Sequence, residues 1–209
     1  MDLKELEARI RVLEDIEAIK KLKATYCYLC DAGLTIDKNR DELVSHFTKD
    51  ARVDFGLGPA SQFQGTEGLK TFFGTVVAMG VTFCMHMVHN PIIEVNGDRA
   101  TGRWYYEAPT TDAVTGKAQW MAGTYFEEYV RENGEWKFSY IGTKWKYVTP
   151  YDEGWAKNPG ELLKMVPPGI VSGKAGRLSS LGGVWGHTGM RARSCAWTFP
   201  RGAHQPHRR

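Results

Sequence analysis

The sequence predicts an α+β fold, a cone-shaped α+β barrel in which long N-terminal helices pack on a curved, mostly antiparallel sheet that encloses an apolar cavity. Three observations lead there. Apolar residues recur at helical gaps through the first eighty or so positions. From Val81 to about Tyr151 the pattern becomes strand-like. Twelve of the 25 aromatic residues fall between positions 100 and 150, where one face of a wrapped sheet needs bulky filling.

Taken in order, Leu3, Leu6, Ile10 and Leu13 and then Ile16, Ile19, Leu22 and Tyr26 mark a helix over residues 2–33. The stripe changes phase near Glu14-Asp15, which suggests a kink, and Gly33 stands where a C-terminal cap belongs. Asp37 or Asn39 can cap a second helix running to about Phe47, with a short strand at Ala51–Phe55 behind it. Thr66 can cap a third helix carrying Leu69, Phe72, Phe73 and Val76-Val77. Four long strands follow, over about 81–95, 99–111, 117–131 and 135–149. Asn96-Gly97-Asp98 and Asn133-Gly134 between them are hairpin turns, because an Asn-Gly pair tolerates the positive φ that such turns need.

A length of 209 residues and 24% charged residues describe one globular domain, expected over residues 1–165, with a tail. The tail is set apart by charge. Residues 166–209 hold seven basic and no acidic residues with eight Gly and four Pro, whereas residues 1–165 carry a net charge of −4. Such a segment is expected to be disordered or loosely attached, or foreign to the domain. Its arginines are too few and too irregular for a nucleic-acid arm. No run of eighteen apolar residues exists and the N-terminus is charged from Asp2, so neither a membrane span nor a secretory leader is expected. Four cysteines make no disulfide framework, which fits a cytoplasmic protein.

Common chemical motifs are absent: there is no phosphate-binding glycine loop, no nucleophile elbow and no His-Glu-x-x-His helix. Cys27 and Cys30 have redox spacing but lie inside an amphipathic helix, where packing is the better reading. His86 and His89 are three apart on a strand and should face opposite ways, so no metal pair is expected. What stands out is polar residues among apolar neighbours. His86 lies within Val81-Thr-Phe-Cys-Met-His-Met-Val, too apolar a strand for a decorative histidine. Asp31 ends the long helix, where a carboxylate opposes the helix dipole. Tyr26 lies one turn before it. Each has an ordinary alternative: a hydrogen-bonded core histidine, a solvated helix end and a packing tyrosine.

The runs Asp15-Ile-Glu-Ala-Ile-Lys through Tyr26 and Asp31, and Phe126-Glu-Glu-Tyr-Val-Arg-Glu-Asn-Gly-Glu-Trp136, resemble SnoaL-like proteins of the nuclear transport factor 2-like superfamily. His86-Met-x-His89 and Ala100-Thr-Gly-Arg-Trp-Tyr105 bring the likeness nearest to the bile acid 7-alpha-dehydratases, with scytalone dehydratases and hexachlorocyclohexane dehydrochlorinases more distant. The resemblance covers about residues 10–150. It implies His86 as general base, Asp31 as its orienting carboxylate and Tyr26 as hydrogen-bond donor, with no cofactor and no metal. Two positions depart from the dehydratase pattern. Ala108 stands where a second carboxylate is found, and Ile141 or Trp145 where an arginine is found.

These residues suit a cofactor-independent lyase of the dehydratase type, removing a proton made acidic by an adjacent carbonyl or unsaturated system. Trp104, Tyr106, Trp120 and Met121 are candidates for the wall of a pocket for an apolar cyclic or steroid-like substrate. Two alternatives stay open: an isomerase or cyclase using the same base, and a non-catalytic binding protein. The resemblance also implies a homo-oligomer, a dimer or trimer through the outer sheet face. No nucleic acid or membrane partner is expected.

Overall fold

The structure is a computed structural model that describes residues 2–56, 58 and 61–158. The expected boundary at 165 and the 166–209 tail lie outside these residues. Helix α1 (Leu3–Asp31) and α2 (Asp37–Ser45) lead into strand β1 (Phe47–Asp54), the short β2 (Gln62–Gln64) and α3 (Gly65–Thr71). A π-helical turn (Phe72–Val77) and a single turn α4 (Ala78–Gly80) extend α3. Then come β3 (Val81–Cys84), β4 (Met87–Asn96), β5 (Arg99–Asp112), β6 (Ala118–Glu132), β7 (Glu135–Pro150) and the short α5 (Gly154–Lys157). The strands form one curved, unclosed sheet in the order β2-β1-β7-β6-β5-β3, with β4 also paired to β5. All pairings are antiparallel except β1 with β7. No helix among the described residues is long and apolar enough to cross a membrane.

Local chemistry explains most boundaries. Asp2 caps α1 by accepting from the Glu5 N–H at 2.8 Å, and Gly33 turns the chain away at φ 94°. Helix α1 runs unbroken through Glu14-Asp15, where a kink was expected. The change of phase marks where α1 meets the body, for residues 2–14 are exposed and Asp15 is its first buried residue. Neither Asp37 nor Asn39 caps α2. Ile36 holds that position without a side-chain bond, while the Asn39 amide donates to the carbonyls of Ala32 and Gly33 and closes the end of α1. Thr66 likewise is not a cap, since α3 begins at Gly65. Asn133 and Gly134 take φ of 53° and 84°, as a tight hairpin requires.

Curvature comes from irregularities in the ladders. The β6–β7 register shifts at Ala122/Gly123 and at Glu128/Tyr129, and β4–β5 shifts between His89 and Ile92, next to Asn90 at φ 51° and Pro91. Gly123 has no alternative: a Cβ there would lie 2.8 Å from the Lys144 carbonyl. The concave face buries Trp104, Tyr106, Ala108, Tyr125, Tyr129, Phe138 and Ile141 against Ile19, Leu22 and Tyr26 of α1 and Phe72 and Phe73 of the third helical segment.

The two sequence runs that carried the family likeness meet in space. Asp15 accepts from Arg131 Nη2 at 2.6 Å and from Trp136 Nε1 at 3.1 Å, tying α1 to the β6–β7 hairpin. Arg131 also reaches Asp98 in the β4–β5 turn at 3.1 Å. Asp15→Ala is expected to destabilise the fold by about 1–3 kcal/mol, because it strands the buried Trp136 Nε1–H and takes one of its two carboxylates from Arg131. Urea denaturation checks this, and the cavity at the opposite end of α1 should be unaffected.

Candidate active site

His86 and its neighbour Met85 fall in a gap of the sheet. Cys84 pairs with Thr110 and Met87 with Glu107, so β3 and β4 run in one register along β5, yet the ladder stops between them. The proline at 109 has no N–H to give; its carbonyl accepts from Met85 N–H at 3.2 Å. His86 directs its own N–H away from the sheet to the Asp31 carboxylate, at 3.0 and 3.2 Å from the two oxygens. The imidazole follows, with Nδ1 2.6 Å from Asp31 Oδ1. Since a carboxylate only accepts, this bond fixes the proton on Nδ1 and leaves Nε2 as the free basic nitrogen. Placing Asp31 at the negative end of a helix with no basic residue in its last turn is unfavourable. The hydrogen bonds from His86 offset that.

His86 forms part of the wall of a cavity of about 110 Å³. Tyr26 and Cys30 contribute from α1, Phe72, Phe73 and Val76 from the π-helical turn, and Tyr106, Thr110, Met121, Tyr125 and Trp145 from the sheet. Rings pack edge-on or tilted around the histidine: Tyr26 at 6.3 Å and Tyr106 at 5.5 Å between centroids, with Tyr125 4.9 Å beyond Tyr106. Among the described residues, no Lys, Arg, Asp or Glu lines this space. Burial holds the Tyr26, Tyr106 and Tyr125 phenols well above their ordinary value, so they stay neutral and keep an O–H to donate. The Thr110 hydroxyl is buried without a hydrogen-bond partner and also lies on the wall.

Of the residues expected from sequence, Tyr26, His86, Tyr106 and Met121 border the cavity, with Asp31 behind His86. Trp104 and Trp120 do not. Trp104 faces inward like Tyr106 but one step further along β5, where its Nε1 donates to the Tyr129 hydroxyl at 3.1 Å. Trp120 is one residue out of phase with Met121 and stacks on Tyr151 at 6.3 Å. Strand alternation gives the side of a sheet, not the depth. His89 packs on Tyr105, and His86 on Tyr106, so the two histidines are on opposite faces. Ile141 is fully buried in the core, whereas Trp145 reaches the cavity and donates from Nε1 to the Phe55 carbonyl at 2.6 Å. Thr110, Tyr125 and Cys84 were missed. Thr110 could have been found, since it follows Tyr106 and Ala108 at the inward-facing spacing of two.

Cys27 and Cys30 are part of the packing beside the cavity. Burial pushes the Cys27 thiol up from 9.0 to about 11 and Cys30 well above its ordinary value. A folded pKa raised above the unfolded one contributes stability below pH 9 that is lost as the pH rises towards 11. The unfolding free energy is therefore expected to stay level to about pH 9 and fall beyond it. Cys27→Ala should flatten that fall, measured by urea titration at each pH.

Residues 11–141 match the SnoaL-like domain family. Among solved structures the chain is similar to a type 2 hexachlorocyclohexane dehydrochlorinase, at 24% identity over 68% of this chain and 92% of that one with a TM-score of 0.60. The type 3 enzyme from Novosphingobium barchaimii LL02 gives 24%, 68%, 93% and 0.60. A candidate scytalone dehydratase from Novosphingobium aromaticivorans DSM 12444 gives 22%, 66%, 89% and 0.58. At these identities the likeness to solved structures concerns the fold. The family match spans more than half of the chain, and with the curved sheet wrapped on its helices it shows that this protein belongs to the SnoaL-like domain family.

Proposed function

We propose that the protein is a lyase that eliminates water, or another small leaving group, from an apolar cyclic substrate, with His86 as its base. The observation that carries this reading is the 2.6 Å contact between Asp31 and His86 Nδ1, placed so that the ring forms part of the wall of an apolar cavity. Nε2 takes the proton from the carbon next to a carbonyl or unsaturated group, and Asp31 stabilises the imidazolium that results. The carbon–leaving group bond breaks as the double bond forms. With hydroxide leaving, the imidazolium returns its proton and water departs, so His86 ends neutral.

The uncharged wall decides how negative charge is met in the transition state. With no arginine among the described residues of the wall, developing charge falls to hydrogen bonds from the neutral phenols and the unpaired Thr110 hydroxyl. Cavity size narrows the substrate. About 110 Å³ is on the scale of the roughly 150 Å³ apolar cavity that holds one benzene ring. This favours a single-ring substrate over a four-ring steroid within the apolar cyclic class. Similarity to the dehydrochlorinases and to a candidate scytalone dehydratase supports the reaction type. So does the likeness of the sequence runs to bile acid 7-alpha-dehydratases.

The test is turnover of a panel of cyclic β-hydroxy ketones and halogenated cyclohexanes, with product mass read for loss of water or hydrogen halide. Loss of either supports elimination. A product of unchanged mass would replace the reading with isomerisation by the same base. Binding without any product would make the protein a pocket binder.

A further inference from the structure

The back of the dyad carries a third group that the elimination does not use. Cys84 Sγ lies 3.4 Å from His86 Nδ1, on the same nitrogen that faces Asp31. One ligand atom each from Asp31, Cys84 and His86 falls within 4.8 Å of the others. We propose that Asp31, Cys84 and His86 form a binding site for a soft divalent cation of the zinc type, which competes with the Nδ1 proton for the same place in the site.

Ligand chemistry selects the cation. One thiolate, one imidazole and one carboxylate suit Zn²⁺ or Co²⁺, and do not suit Mg²⁺ or Ca²⁺, which take oxygen alone. Geometry agrees on one side. Metal bonds of about 2.3 Å to sulfur and about 2.0 Å to nitrogen in a tetrahedron put those two atoms about 3.5 Å apart, close to the 3.4 Å seen. The carboxylate oxygen, at 2.6 Å from Nδ1, must withdraw by somewhat less than about 1 Å to share the ion. Its other oxygen keeps the bond from His86 N–H meanwhile. Three protein ligands leave a fourth position for water, and the cavity that Cys84 and His86 both border supplies the room.

The electrostatic setting also favours a cation. Asp31 sits at the negative end of the 29-residue α1, with no basic residue in that last turn. Its only ion pair among the described residues is with His86. A metal on Nδ1 replaces the proton that Asp31 accepts and draws electron density from the ring, so Nε2 becomes a much weaker base. Zinc should therefore inhibit turnover; this consequence, unlike the binding, rests on His86 being the base.

The experiment reads binding without any substrate. The whole chain is titrated with Co²⁺ and followed by its thiolate-to-cobalt absorption, then Zn²⁺ is added to displace the cobalt. The expected result is one equivalent with the thiolate band. Cys84→Ala should abolish that band, and Cys84→Ala and His86→Ala should each weaken binding by at least the roughly 10–100-fold that follows loss of a supporting residue. His89→Ala should leave both unchanged. Cys84→Ser gives a second, milder change should the alanine variants fold poorly. Cys195, His187, His204 and His207 offer other ligands in this chain, so binding that survives unchanged in the Cys84 variants overturns the inference, as does no binding at all. Neither outcome touches the elimination, which fails instead if the metal-free protein turns over no panel compound.

Discussion

His86→Ala is expected to lower turnover by about a hundred-fold to ten-thousand-fold, the range associated with a positioned general base. Asp31→Asn keeps the shape but replaces an acceptor by an amide that can turn an N–H towards Nδ1. That would favour the tautomer with Nε2 protonated and useless as a base, so its loss should also be severe. Tyr26→Phe should be milder, because Tyr106, Tyr125 and Thr110 remain as donors on the wall. The base and its orienting group act as a unit, so the His86/Asp31 double variant should be little worse than His86→Ala alone. Steady-state kinetics on the compound best turned over checks all four. If His86→Ala retains most of the rate, the assigned base is wrong.

The second large effect lies directly behind the cavity wall, in a pair that does not itself line the cavity. Lys23 and Glu127 form an ion pair whose side chains are both 0% exposed. The Lys23 ammonium lies against the Tyr125 ring at 3.5 Å and the Tyr26 ring at 4.3 Å, and Glu127 accepts from the Tyr129 hydroxyl. Removing one partner leaves the other charge buried without compensation. Lys23→Met is therefore expected to destabilise the protein by about 3–5 kcal/mol, as is Glu127→Leu. The double variant should recover most of that loss, since no orphaned charge remains. Urea denaturation of the three proteins gives the coupling directly. Additive losses in the double variant would mean that the pair does not act as a pair.

How much of this was legible in the sequence depended on whether a signal was local. The Asn-Gly turns and the long helix are written in consecutive residues, and they stand where expected. The dyad was legible through contrast, a histidine in an apolar strand and an acid at a helix end. The Lys23–Glu127 pair was not, because its members are 104 residues apart and each looks like an ordinary surface charge. One clue existed. Lys23 shares the buried face of Ile19, Leu22, Tyr26 and Cys27, at helical spacing. The parallel β1–β7 pairing was hidden for a similar reason, since it joins the first strand to the last long one and no adjacent turn announces it. Trp104 and Trp120 show the other limit. Aromatic content locates the core, but which ring borders the cavity depends on depth along the strand and on bulges such as that at Gly123.

The central claim is that Asp31 holds the proton on His86 Nδ1 and leaves Nε2 free towards the cavity. Nitrogen-15 NMR of the imidazole, recorded above the pH at which the ring loses its second proton, reads this directly and needs no substrate. The account predicts a neutral ring protonated at Nδ1, with a strongly deshielded Nδ1–H proton that disappears in Asp31→Asn. A ring protonated at Nε2 in the unaltered protein would contradict it.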